Sequence, residues 1–236
     1  MSNPYFKFKQ FTVWHDKCAM KVGTDGVLLG AWTLVESAHR ILDIGTGTGL
    51  VALMLAQRSL PDANIVALEI DEAAVGQARE NIIRSPWKER VEVVQADFKK
   101  YRSLDKFDVI VSNPPYFVDS LECPDRQRAA ARHNDSLTYE DLLEGVSGLL
   151  AEDGFFTMVI PADVAERVKK IASIKKLYAV RQLNVITKPG GIPKRVLITF
   201  SFSNQECIVE ELLTELARHQ YSEEYMTLTR DYYLNM

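Results

Sequence analysis

Apolar residues along the chain fall into two alternating patterns. Short uninterrupted runs at Arg40 to Ile44, Asn64 to Glu69, Val91 to Gln95 and Phe107 to Ser112 read as buried strands. Between them, Leu50 to Arg58 and Glu72 to Arg84 carry apolar residues at helical spacing. This order predicts βαβ units, hence a mostly parallel sheet with helices on both faces and right-handed crossovers. Farther on the pattern predicts helices over 139–150 and 162–174, strands over 154–160, 179–186 and 196–202, and a helix over 207–218. Pro189, Gly190, Gly191 and Pro193 mark a turn that lets two late strands run antiparallel. Near the front, 25–35 predicts a short helix with Thr24 or Asp25 as its N-cap. The segment 221–233 mixes acidic and aromatic residues without a period and is expected to pack on the surface.

At 236 residues, 47% of them hydrophobic, the chain holds one substantial core, and a single α/β domain is expected. Residues 1–38 are expected to form an N-terminal extension whose helix would lie as a lid over any ligand of the core, 39–202 the α/β core, and 203–236 a C-terminal helix and tail. The first twenty residues lack the uninterrupted apolar stretch of a secretory signal, and no segment is apolar for long enough to span a bilayer. A cytoplasmic location with no membrane partner follows. Cys18, Cys123 and Cys207 are odd in number and unpaired in spacing, which fits neither a disulfide framework nor a zinc site. His15, His39, His133 and His219 are scattered, so no metal is expected. A net charge of −4 provides no bulk positive field, and any nucleic-acid contact must use a local basic patch.

The chemistry concentrates where strands end. Directly after the first core strand comes Asp43-Ile44-Gly45-Thr46-Gly47-Thr48-Gly49, followed at once by a helix, as a nucleotide-binding turn requires. The third glycine arrives two positions after the second, not three, which disfavours nicotinamide and flavin. Glu69 ends the next strand at the distance expected of an acid that accepts from ribose hydroxyls. Asp97, after the third strand, can accept from an adenine amine. Carboxylates suit S-adenosylmethionine, which carries a sulfonium and an ammonium and no phosphate. Asp43 is expected to face its amino-acid end.

The fourth strand runs into Asn113-Pro114-Pro115-Tyr116. Two prolines remove two N–H donors, so this loop presents carbonyl oxygens and the Asn113 amide oxygen to a donor, with Tyr116 as a stacking face. An exocyclic amine or an amide nitrogen is a weak nucleophile, and such a loop would hold its protons and aim its lone pair. Arg126, Arg128 and Arg132, together with Lys7 and Lys9, are candidates for gripping an RNA backbone, and read equally well as solvated surface.

On the motifs Asp43 to Gly49, Glu69, Asp97 and Asn113 to Tyr116 the chain resembles the class I, Rossmann-like methyltransferases. On Lys21 to Trp32 and Tyr221 to Leu234 it resembles the bacterial family that methylates an anticodon-loop adenine of valine tRNA at N6. That resemblance implies a seven-stranded sheet ordered 3-2-1-4-5-7-6, with Thr24 and Asp25 near the methionine end of the cofactor. It also implies that Asn113 to Tyr116 hold the adenine, and that tRNA is the substrate with no obligate protein partner. Two enzymatic rivals share the same catalytic loop. One is N5-methylation of a protein glutamine, against which stands the short stretch before the glycine loop, about forty residues, too few for a separate helical domain. The other is adenine-N6 methylation of DNA or another RNA, with no insertion large enough for a DNA target-recognition domain. A non-catalytic RNA-binding module is the third rival, disfavoured by the intact acids and catalytic loop.

Overall fold

A computed structural model describes residues 3–18, 21–114, 137–218 and 220–235. The expected calls on Pro115, Tyr116, Cys123, Arg126, Arg128, Arg132, His133 and His219 lie outside these residues.

The chain opens with an antiparallel hairpin of β1 (Tyr5–Lys7) and β2 (Thr12–Trp14). Helix α1 (Thr24–Trp32) follows, and its N-cap is Gly23, without a side-chain cap. Neither Thr24 nor Asp25 therefore caps it. Asp25 sits instead in the first turn, where a negative charge suits the helix dipole, and its carboxylate is drawn to Arg195. The core then runs β3 (Arg40–Ile44), α2 (Leu50–Arg58), β4 (Asn64–Glu69), α3 (Glu72–Ile83), β5 (Val91–Gln95) and β6 (Phe107–Ser112). It continues through α4 (Tyr139–Leu149), β7 (Leu150–Pro161), a single 3₁₀ turn at Ala162–Val164, α5 (Ala165–Ile174), β8 (Tyr178–Ile186) and β9 (Arg195–Ser201). After β9 come β10 (Ile208–Leu213), the small pair β11 (Glu215–Ala217) and β12 (Gln220–Tyr221), and α6 (Glu223–Thr229).

One large sheet has the order β10-β8-β9-β7-β6-β3-β4-β5. Its first seven strands in chain order reproduce the expected 3-2-1-4-5-7-6 arrangement, and β9 runs antiparallel to both β7 and β8. Two expectations are corrected at its edge. The sheet has eight strands, and the eighth is β10, inside the segment expected to be a helix over 207–218. Val209, Leu212, Leu213 and Leu216 do have helical spacing, but β8 offers an unpaired backbone edge, and β10 satisfies it in parallel register from Ile208 opposite Arg181 to Leu213 opposite Ile186. An ion pair of Arg181 with Glu210 at 2.9 Å fixes that register. Only Leu212 of this strand is buried, so little apolar area was available to reward a helix.

Alternation along each strand divides the interior between the two faces. Ile41, Val109 and Val111 point to the side covered by α1, α2 and α3, whereas Leu42 and Ile110 point to the side covered by α4 and α5. Helix α1 is buried from Gly26 to Trp32 and lies so close to α2 that a Cβ on Gly30 would stand 2.7 Å from the Cβ of Met54. The tail expected to lie on the surface contributes Tyr225 and Tyr232 to the core of this same face. The Tyr232 hydroxyl donates to the Met54 carbonyl at 3.2 Å. No described helix is long and apolar enough to cross a membrane.

Candidate functional site

The carboxyl ends of β3, β4, β5 and β6 carry the acids and the loop singled out in the sequence, as open α/β sheets require of a ligand site. In the glycine loop Gly45, Gly47 and Gly49 all have positive φ, at 72°, 56° and 81°. A Cβ on Gly45 or Gly47 would meet nothing within 4 Å, so both positions open the backbone to the space above the sheet. Gly49 ends the loop as the left-handed N-cap of α2.

Asp43 holds this loop from beneath. Its carboxylate is 1% exposed and accepts from the Thr46 hydroxyl at 2.6 Å and from the Ala52 amide in the first turn of α2. Burial pushes its pKa up to about 7; the Thr46 and Ala52 hydrogen bonds oppose that rise, and the charge of Glu69 adds to it. The sign of the linkage follows. Between the ordinary aspartate value near 4 and about 7, the folded protein keeps a proton that the unfolded chain has lost. This group's contribution to stability therefore falls as pH rises through that window, by at most about 1.4 kcal/mol per pH unit. Asp43→Asn is expected to flatten the difference in urea stability between about pH 5 and pH 7 relative to wild type. Parallel profiles would remove the assignment.

Glu69 is half-buried and organises the edge through three backbone amides. Its Oε2 accepts from Gly47 at 2.9 Å, and its Oε1 accepts from Ile70 at 2.8 Å and Asp71 at 3.0 Å. Of roughly four lone-pair positions on a carboxylate, three are thus used by described residues, one of them on Oε2. Next to it Ile70 is 59% exposed, an apolar side chain at the edge of a polar site. Asp97 lies two residues past β5, with Oδ1 accepting from the Lys99 amide at 3.0 Å and Oδ2 3.5 Å from the Lys100 ammonium.

Ser112 and Asn113 complete the edge. The Ser112 hydroxyl donates to the Ile44 carbonyl at 3.0 Å, tying the end of β6 to the residue before Gly45. Asn113 is half-buried, and its Oδ1 is buried with no hydrogen-bond partner among the described residues. A lone buried acceptor is costly unless a donor arrives. Gly26 of α1 faces this side chain, since a Cβ there would lie 3.9 Å from Asn113 Nδ2 and 3.1 Å from Leu50. Asp25, one residue earlier, pairs with Arg195 at 3.1 Å. Thr24 and Asp25 thus lie one turn of chain from the Asn113 loop.

The remaining sequence candidates are spread wider. Lys7 is exposed on β1, while the Lys9 ammonium donates to the Arg230 carbonyl and so fastens the hairpin to the C-terminal tail. The sequence reading overlooked Asn81. Its Nδ2 donates to the carbonyls of Thr48 and Trp14, both at 2.8 Å, and its Oδ1 accepts from the Trp14 amide at 2.9 Å. One buried side chain therefore joins the glycine loop to the N-terminal hairpin. The available signal was Gln77 and Asn81 at i and i+4 among the apolar residues of α3. Arg195 gave no local signal, because its partner Asp25 is 170 positions away.

The open glycine backbone, the acid-lined edge and the Asn113 acceptor, unpartnered among the described residues, fit an adenosyl cofactor without phosphates, and with the strand order they define a class I, S-adenosylmethionine-dependent methyltransferase. Comparison with known proteins agrees. Residues 22–175 match the family described as Methyltransferase small domain. The chain is 78% identical over 236 residues, all of both chains, to the tRNA1(Val) (adenine(37)-N6)-methyltransferase of Bacteroides thetaiotaomicron. It is 44% identical over 232 residues, 98% of this chain and 92% of the relative, to the protein of that name in Yersinia enterocolitica. Among solved structures, a predicted O-methyltransferase from Agrobacterium tumefaciens aligns with a TM-score of 0.70 at 20% identity, over 90% of this chain and 100% of that one, a likeness of fold. The chain belongs to the family of the tRNA1(Val) (adenine(37)-N6)-methyltransferases.

Proposed function

We propose that this protein transfers a methyl group to the exocyclic N6 of adenine 37 in the anticodon loop of tRNA1(Val), the substrate named for its relatives. The observation that carries the reading is the buried Asn113 Oδ1 at the carboxyl edge of the sheet, without a hydrogen-bond partner among the described residues. It is an acceptor waiting for an N–H donor, and the adenine amine has two. S-adenosylmethionine, when bound, supplies a methyl group on a sulfonium that leaves as a neutral thioether.

On this reading the glycine loop receives the methionine end of the cofactor, with Thr24 and Asp25 beside it. Glu69 accepts from the ribose, Ile70 gives its exposed side chain to a face of the cofactor adenine, and Asp97 accepts from that ring's amine. The target amine donates one hydrogen to Asn113 Oδ1 and the other to the Pro114 carbonyl. Both bonds draw the nitrogen lone pair out of ring conjugation and point it at the methyl carbon. Asn113 Oδ1 and the Pro114 carbonyl would hold the nitrogen in line with the donor's methyl group, with the thioether as the leaving group, while the surplus proton passes from nitrogen to solvent. Position and fixed dipoles supply the catalysis, so no strong base is needed. Pro115 would stiffen the loop and Tyr116 would stack on the extruded base. Arg126, Arg128 and Arg132 would grip the RNA backbone. The protein would act in the cytoplasm as a single domain, without an obligate protein partner.

The test is transfer of labelled methyl by purified protein to unmodified tRNA1(Val), with nucleoside analysis and with a release-factor protein and DNA as parallel acceptors. N6-methyladenosine in the tRNA, lost when adenine 37 is replaced, is expected. Label in the protein acceptor instead would move the reaction to a glutamine amide.

A further inference from the structure

A groove of about 720 Å³ begins at Thr24 and Asp25 and extends away from the glycine loop, none of whose residues line it. Its walls come from the start of α1, the turn between β8 and β9, the residues after β10, the C-terminal segment and β1. Thr24 and Asp25 belong to its lining, and the next residue, Gly26, abuts Asn113. Along α1, the groove lining therefore comes within one residue of the contact with Asn113. Its volume falls in the range of small-ligand clefts, roughly 300–1,000 Å³.

The lining combines two kinds of group. Tyr5 and Tyr221 are 37% and 36% exposed, and Tyr221 continues inward to Tyr225, with ring centroids 5.3 Å apart. Cations come from two separate elements: Lys7 on β1, and Lys194 beside Arg195 at the entry to β9, both lysines exposed. Two acids also line it, Asp25, which pairs with Arg195, and Glu215. Flat exposed rings with flanking lysines are what a single-stranded nucleic acid requires: a face for a base, and positive charge for the phosphates on either side of it. In a protein of net charge −4 such a patch must be local.

We propose that this groove binds the nucleotide next to the target adenine in the unpaired RNA strand, stacking its base on Tyr221 and Tyr5 and holding its flanking phosphates with Lys7 and Lys194. The proposal rests on the RNA reading above. Extruding one base costs stacking with its neighbours, and a second stacking surface near the start of α1, beside Asn113, offsets that loss. Aromatic stacking tolerates any base, so the groove anchors the strand and leaves the choice of adenine to the Asn113 loop.

The experiment measures binding of a hairpin RNA with the anticodon stem-loop sequence of tRNA1(Val), in the presence of S-adenosylhomocysteine, across a salt series. The Lys7→Glu/Lys194→Glu variant is expected to bind at least about 10-fold more weakly, with a salt slope smaller by about two. Tyr221→Ala is expected to weaken binding by roughly 5- to 150-fold with the slope unchanged, and Tyr221→Phe to restore it. Retained S-adenosylhomocysteine affinity and a cooperative melt identify folded variants. With the unaltered protein, a 4-thiouridine placed next to the target adenine should crosslink to the peptide bearing Tyr5 or Tyr221. Wild-type affinity in both variants, or a crosslink confined to other peptides, overturns the groove. Failure of the wild type to methylate tRNA would instead overturn the function it rests on.

Discussion

Asn113→Ala is expected to slow methyl transfer by on the order of 10²–10³ while cofactor affinity stays within a few-fold of wild type. The Oδ1 atom is buried and has no hydrogen-bond partner among the described residues, so its removal costs no hydrogen bond to them. What is lost is an acceptor that meets the amine as positive charge develops on nitrogen. Removing one such preorganised group costs on the order of 10²–10³ in kcat, about 2.7–4 kcal/mol. Ser112, which anchors the strand end through the Ile44 carbonyl, remains in place, so the glycine loop is not disturbed. Single-turnover methylation together with calorimetric titration of S-adenosylhomocysteine separates the two quantities. Full activity in the variant would exclude the proposed role, and a parallel collapse of cofactor affinity would make Asn113 a cofactor residue instead.

The parts of this site that are legible in the sequence are those whose cause is local. Gly45, Gly47 and Gly49 announce themselves because each occupies a positive φ, and Glu69 because the length of one helix and one strand separates it from the loop. Strand boundaries at Arg40–Ile44, Asn64–Glu69, Val91–Gln95 and Phe107–Ser112 coincide with the expected ones, since buried parallel strands are short apolar runs with abrupt ends. What escapes is decided at a distance. Ile208–Leu213 becomes a strand because β8 has an edge to fill, and nothing within that stretch records the edge. Asp25 looks like a helix cap until Arg195 supplies a partner from 170 positions along the chain. Lys9 looks like a phosphate ligand, yet its ammonium reaches the Arg230 carbonyl. Tyr225 and Tyr232 look like tail residues and are core, because α1 and α2 leave a surface that the C-terminal segment covers.

Glu69→Ala should give the reverse of the Asn113 pattern, with cofactor affinity falling steeply and the chemical step changing less once cofactor is saturating. The carboxylate accepts from the Gly47, Ile70 and Asp71 amides, so its loss leaves three donors to water and frees the middle of the glycine loop from β4. Hydrogen bonds to a charged group contribute about 1.5–3 kcal/mol each, but this side chain is half-exposed and water replaces part of what is removed. The lost ribose contact and the loosened loop together should weaken S-adenosylhomocysteine binding by on the order of 10- to 150-fold. Glu69→Gln distinguishes the two causes. It keeps one acceptor oxygen, enough for either Gly47 or the Ile70–Asp71 pair, and removes the charge that a ribose hydroxyl would meet. If the ribose contact dominates, Gln behaves like Ala in calorimetry while melting close to wild type. If the loop anchor dominates, Gln recovers part of both affinity and melting temperature, and unchanged affinity in both variants would take Glu69 out of the cofactor site.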